Sequence, residues 1–144
     1  MNTHELKTKV TSAMYKLIKT AGFASPIDVL MEIGVLSKEN YEKWRDGKVA
    51  YLERVCVTNL HKLTTVRNEI KAYARKHRLK ASWTMYKKWK SKGRVIPLRF
   101  SKYGLEHIER EYATHYISAT KVLEAQERRK IQHDKNEQDN NITP

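Results

Sequence analysis

Trp83, Tyr86 and Trp89 follow one another at intervals of three, and Lys87, Lys88, Lys90, Lys92 and Arg94 crowd between and after them. Aromatic rings interleaved with cations are what a surface needs to stack on unpaired bases while holding the phosphates that join them. The cations continue on both sides. Lys62, Arg67, Lys71, Arg75, Lys76, Arg78 and Lys80 precede the group, Arg99 and Lys102 follow it, and Glu69 is the single acid in residues 60–103. The chain carries 29 Lys plus Arg against 16 Asp plus Glu, a formal net charge of +13, and this segment supplies the whole excess. Solvated faces ordinarily mix signs, because like charges repel and acid–base pairs one turn apart stabilise exposed helices. A segment that forgoes mixing predicts an anionic partner, and nucleic acid, DNA or RNA, is the simplest one. Phosphate contacts are expected from Arg67, Lys71, Arg75, Arg78, Lys80, Lys87, Lys88, Lys90, Lys92, Arg94 and Arg99, and base stacking from Trp83, Tyr86 and Trp89. The competing reading places the three rings in the core and leaves the cations alone outside.

Other chemistry is poorly represented. His107, Glu111 and His115 stand at i, i+4 and i+8, but the His-Glu-x-x-His order is missing and the third residue has rotated about 80° away on a helix. Cys56 is the only cysteine, so one chain offers neither a disulfide nor a cysteine-built zinc site. Glycine loops that cradle phosphates are absent. No enzymatic activity, cofactor or metal is expected. No apolar stretch approaches membrane-spanning length, the mean hydropathy is −0.75, and the opening Met1–Lys7 lacks a basic start followed by an apolar run. A cytoplasmic protein with no membrane partner is the expectation.

Five Gly and three Pro in 144 residues leave long stretches free for helix. An all-α fold is predicted, a small bundle in one domain over 1–123 with one long central helix. Leu6, Val10, Ala13, Met14, Leu17, Ile18 and Ala21 mark a first helix from Thr3 to Ala21, closed by Gly22. Ser25-Pro26 opens a short second helix, and Ser37 opens a third that Gly47 ends. Leu52, Cys56, Asn59, Leu63, Val66, Ile70, Tyr73 and His77 alternate spacings of four and three, predicting one helix over about 49–77, unless Asn59 divides it. Ser82 is expected to cap a short helix over Trp83–Trp89. Residues 94–100 are expected to be extended, with Pro97 confining them to an edge. The helical period then resumes through Leu105, Ile108, Tyr112, Tyr116, Ala119 and Leu123, and residues 124–144 should fray into a disordered tail.

Leu30, Gly34, Val35, Ser37, Tyr41, Trp44 and Gly47 give residues 26–52 a local pattern that resembles the helix-turn-helix of excisionase-type DNA-binding proteins. The resemblance implies site-specific DNA binding through 26–47. Leu36 lengthens the turn, however, and Lys48-Val49-Ala50-Tyr51 lacks the basic wing such proteins carry next, so a structural helical hairpin stands beside it. Function is thus expected to be nucleic-acid binding by an accessory subunit through the basic segment. The alternatives are an adaptor or homodimer using the long helix and an acidic partner, and site-specific DNA binding by the 26–47 segment.

Overall fold

The computed structural model describes residues 1–142. In chain order these form α1 (Thr3–Ala21), β1 (Phe23–Ala24), α2 (Pro26–Glu32), α3 (Lys38–Arg45), a 3-10 turn (Leu52–Val55), α4 (Leu60–Lys76), β2 (Lys80–Trp83), α5 (Glu106–Ala113), β3 (Thr114–Ile117) and α6 (Ala119–Ile142). The all-α expectation is corrected by an antiparallel sheet of order β1-β3-β2. Phe23 and Ala24 face Ile117 and Tyr116, while Lys80 to Trp83 run opposite Ile117 to Thr114.

Local chemistry explains the helix boundaries. The Asn2 side chain accepts from the Glu5 N–H at 2.8 Å, and Gly22, at φ 81°, donates its N–H to the Ile18 carbonyl. Gly22 also touches α6, where a Cβ would lie 2.9 Å from Val122 Cγ2, so only glycine satisfies both the left-handed turn and the close approach. Ser25 and Ser37 cap α2 and α3 by accepting from Asp28 and Asn40 at 3.1 Å each. Leu6, Val10, Ala13, Met14 and Ile18 of α1 are buried together with Leu63, Val66, Ile70, Tyr73 and Ala74 of α4, and the two helices form the principal packed pair.

The single helix expected over 49–77 is divided, as Asn59 had allowed. Val55, Val57 and Thr58 are stiff β-branched residues, and the Asn59 side chain accepts from the Lys62 N–H at 2.9 Å, starting α4 afresh. Val57 instead donates its N–H to the Val35 carbonyl. Leu52, Cys56, Leu63, Val66, Ile70 and Tyr73 are nevertheless all buried, since the bend keeps the seam pointing inward.

Two more corrections concern strands. Tyr112 and Tyr116 sit at helical spacing, yet α5 stops at Ala113 and Thr114, Tyr116 and Ile117 enter the sheet, where β-branched and aromatic residues pack well. The helix expected over Trp83–Trp89 is absent, and Lys80–Trp83 is an edge strand. The tail expected to be disordered is helical through Ile142, in keeping with its Glu, Gln, Arg and Lys content; Thr143 and Pro144 lie outside the described residues.

Arg67, expected to contact phosphate, is only 6% exposed. Its guanidinium donates to the Tyr112 hydroxyl at 2.7 Å and to Glu111 at 3.0 Å, and it pairs with Glu53 at 3.4 Å. Tyr112 donates to Glu53 at 2.6 Å, and the other Glu53 oxygen accepts from the Lys102 N–H at 2.8 Å. Burial pushes the Tyr112 phenol up, with the Glu53 carboxylate adding to the effect. For Glu111, burial works to raise the pKa, but bonds from Lys71 and Arg67 outweigh it and hold the carboxyl low. Removing Glu53 leaves a buried guanidinium short of a partner, so Glu53→Ala should lower stability by about 3–5 kcal/mol in urea unfolding. Glu111 stabilises above its ordinary carboxyl value, and the contribution disappears as pH falls through the lowered folded value. Glu111→Gln should accordingly flatten the acid limb of a stability–pH profile while leaving the alkaline limb unchanged. An acid limb identical to that of the parent protein would contradict this account.

Candidate nucleic-acid interface

The cations that follow β2 are carried on an irregular hairpin. Lys87 bridges Pro97, the Lys88 N–H donates to the Ile96 carbonyl at 2.8 Å, and the Leu98 N–H donates to the Tyr86 carbonyl at 2.9 Å. Pro97 has no N–H, so pairing stops after this short ladder. At the apex the Ser91 hydroxyl bonds the Lys88 and Arg94 carbonyls, and Lys90 (φ 59°), Lys92 (φ 44°) and Gly93 (φ 81°) all adopt left-handed backbone. A left-handed lysine costs about 1–2 kcal/mol that glycine would avoid. The chain therefore keeps long cationic side chains where a smaller residue would relax the turn.

The hairpin rests on the C-terminal end of α3. The Trp89 N–H donates to the Arg45 carbonyl at 2.8 Å, and the Arg45 guanidinium lies 4.9 Å from the Trp89 ring centre and 5.3 Å from that of Tyr86. Tyr41 meets the Trp89 ring edge-on at 5.9 Å. The Lys88 stem crosses Gly47 so closely that a Cβ there would lie 2.8 Å from Lys88 Cε. Below, the Trp44 indole donates to the Arg99 carbonyl at 2.8 Å, and Trp44, Tyr86 and Phe100 form one buried aromatic cluster. Cation–π contact and a backbone bond thus hold a basic tip against a helix more than 40 residues earlier in sequence.

The residues expected to bind separate into groups. Lys87, Lys90, Lys92, Arg94 and Arg99 are exposed and Lys88 is half-buried; none has an ion-pair partner among the described residues. Arg75, Arg78 and Lys80 are exposed around the end of α4 and the start of β2, and Arg78 is left-handed at φ 54°. Arg67 is withdrawn into the core, and Lys71 is held by Glu111, so both are removed from the contact set. The three rings do not share a helical face. Trp83 ends β2 at 58% exposure, Trp89 is 37% exposed beside Arg45, and Tyr86 is buried with its hydroxyl 2.9 Å from His115 Nε2. At 8% exposure Tyr86 is a core residue, not a stacking platform, and the same burial pushes its phenol up to about 12.

The pairing of α3 with the hairpin escaped sequence reasoning because its partners are so far apart in the chain. Ser91, Gly93 and Pro97 were the turn-forming signal within the basic run. Elsewhere, Glu111 faces Arg67 and Lys71, and His115 contacts Tyr86 with its imidazole pKa lowered by burial. Among the described residues no three metal-ligating side chains converge. Burial and the nearby Glu53 push the Cys56 thiol up to about 12.

No family model, curated protein or solved structure matches this chain. No helix among the described residues is long and apolar enough to cross a membrane. Trp89→Ala should release the hairpin without unfolding the α1–α4 pair. Hydrogen exchange at Lys88 and Leu98 should accelerate at least tenfold while exchange at Val66 and Ile70 stays slow. Uniform acceleration across both regions would show that the hairpin is part of the global folding unit.

Proposed function

We propose that this chain is a cytoplasmic nucleic-acid-binding accessory protein, with the hairpin apex as its main phosphate contact and the cations at the end of α4 as a second. The observation that carries this reading is the cluster of Lys87, Lys88, Lys90, Lys92 and Arg94, unpaired among the described residues and anchored through Trp89 to Arg45. Concentrated positive charge on a fixed turn gains free energy from neutralising phosphates and releasing their counterions. Such contacts position a protein on a nucleic acid without reading its sequence. Trp83 and Trp89 retain enough exposed ring to add stacking.

A second reading is favoured by the packing of the hairpin on α3. In this reading residues 87–97, packed on α3, would stand in for the basic wing that residues 48–51 lack, beside the helix that would enter a groove in the excisionase-type arrangement. Glu39 and Glu42 on α3 work against close approach to phosphates, which ranks this reading below the first. An acidic protein partner for the same cations is the adaptor alternative.

Fluorescence anisotropy with single- and double-stranded oligonucleotides at several salt concentrations tests these readings. Affinity should fall steeply with salt, and Lys90→Glu combined with Lys92→Glu and Arg94→Glu should weaken binding about 10–1000-fold and reduce the log–log salt slope by about 2–3. Arg75→Glu with Arg78→Glu should cost less. Salt-insensitive binding, or none at low salt, would discard the phosphate reading in favour of the adaptor. Loss confined to Lys43→Glu on α3, together with preference for one duplex sequence, would favour the helix-turn-helix instead.

A further inference from the structure

Away from the hairpin, the C-terminal ends of α1 and α4 and the first turn of α6 enclose an open hollow of about 270 Å³. Tyr15 and Lys19 come from α1, Tyr73 from α4 with His77 directly after it, and Lys121 from the first turn of α6 with Ser118 directly before it. The Tyr73 and His77 rings are stacked, 4.1 Å between centres and inclined by 29°. Tyr15 is 60% exposed, with the Lys19 ammonium 5.8 Å from its ring centre. Among the described residues no carboxylate lines the hollow; Glu124, just outside, sits 3.4 Å from the Lys121 ammonium in a half-exposed, weak pair. Ser118 caps α6 by accepting from the Lys121 N–H at 3.2 Å, which places the positive end of that helix in the wall.

We propose that this hollow is a subsite for one nucleotide unit, the base stacking on Tyr15 and the phosphate meeting Lys19, Lys121 and the start of α6. Each half of that ligand has its counterpart here: a ring still 60% exposed beside the Lys19 ammonium for an aromatic base, and ammonium groups with a helix N-terminus for an anion. The volume lies just below the range of sites for drug-sized ligands, about 300–1,000 Å³, which suits a single nucleotide better than a longer stretch of strand. The surroundings also favour it. Arg78, left-handed at φ 54°, lies in the chain between the lining residues His77 and Leu79, and Arg75 and Lys80 are close by in the chain. A strand held by those cations would present an unpaired nucleotide to the hollow. In this strand-bound form the subsite rests on the function proposed above, whereas a free nucleotide would engage the same groups independently of it.

The probe is 2-aminopurine riboside 5′-monophosphate, whose fluorescence falls when its base stacks on a ring. Quenching by the intact protein should be saturable, about tenfold or more weaker for Tyr15→Ala, retained by Tyr15→Phe, and weakened several-fold by Lys19→Ala or by removing the phosphate from the probe. Tyr15 is exposed, so circular dichroism should show unchanged helicity in its variants. A single-stranded oligonucleotide carrying one 2-aminopurine and a fully paired duplex identify the source. If Tyr15→Ala weakens the single strand but not the duplex, the unit belongs to a strand; if only the mononucleotide responds, the subsite holds a free nucleotide. The hairpin charge reversal should weaken oligonucleotide affinity about 10–1000-fold yet leave mononucleotide quenching intact, which keeps the two readings separate. Absence of saturable quenching, or equal quenching by Tyr15→Ala, overturns the subsite whatever the hairpin does.

Discussion

A guanidinium buried at Arg67 is the constraint on which the rest of the structure depends. Taking that charge out of water is tolerable only if carboxylates and hydroxyls meet it, and apart from Thr64 on its own helix the groups that do so come from two other elements. Glu53 is on the 3-10 turn, Glu111 and Tyr112 are on α5, and Arg67 is on α4. Satisfying one side chain therefore fixes the relative positions of those elements. Glu53 extends the constraint by accepting from the Lys102 N–H, and Glu109 accepts from the Phe100 and Ser101 N–H groups, so the loop after the hairpin is held on both sides by carboxylates.

That loop transmits the constraint to the surface. With residues 99–102 fixed, Phe100 lies parallel to Tyr112 at 5.5 Å and presses on Trp44 at 5.0 Å, and the Trp44 indole closes the circuit by bonding the Arg99 carbonyl. Tyr86 packs into the same cluster from the other arm of the hairpin. A basic apex that would otherwise writhe through self-repulsion is thereby attached at both feet to an aromatic core and braced by Arg45 beneath Trp89. Pre-positioned cations lose less entropy on meeting a polyanion than cations on a free loop would.

Much of the helical frame was legible because its signals are local. Ser25 and Ser37 capped helices where their side chains promised to, and Gly22 ended α1. The sheet was not legible, since β1 has two residues and β2 and β3 four each, too few for a period-two pattern to stand out, and Tyr112 with Tyr116 mimicked a continuing helix turn. Pairing across the chain, not propensity, makes Thr114–Ile117 a strand. The hairpin misled for a related reason: spacing by three placed Trp83, Tyr86 and Trp89 on one imagined helix, whereas alternation along extended chain exposes Trp83 and buries Tyr86.

The fate of the basic row on α4 follows from helix geometry once the buried face is known. Leu63 and Ile70 point inward, and Arg67 stands four residues after one and three before the other, so it belongs to their face and not to the solvent side. Each further step of four rotates about 40° beyond a full turn. Lys71 accordingly lies at the margin, half-exposed and still reaching Glu111, and Arg75 is rotated by about 80° and exposed. One regular row thus runs from the interior to the solvent. The same type of charge organises the core at its start and is free for an outside anion at its end, a division that counting charges along the segment could not reveal but that the phase of the apolar residues contains.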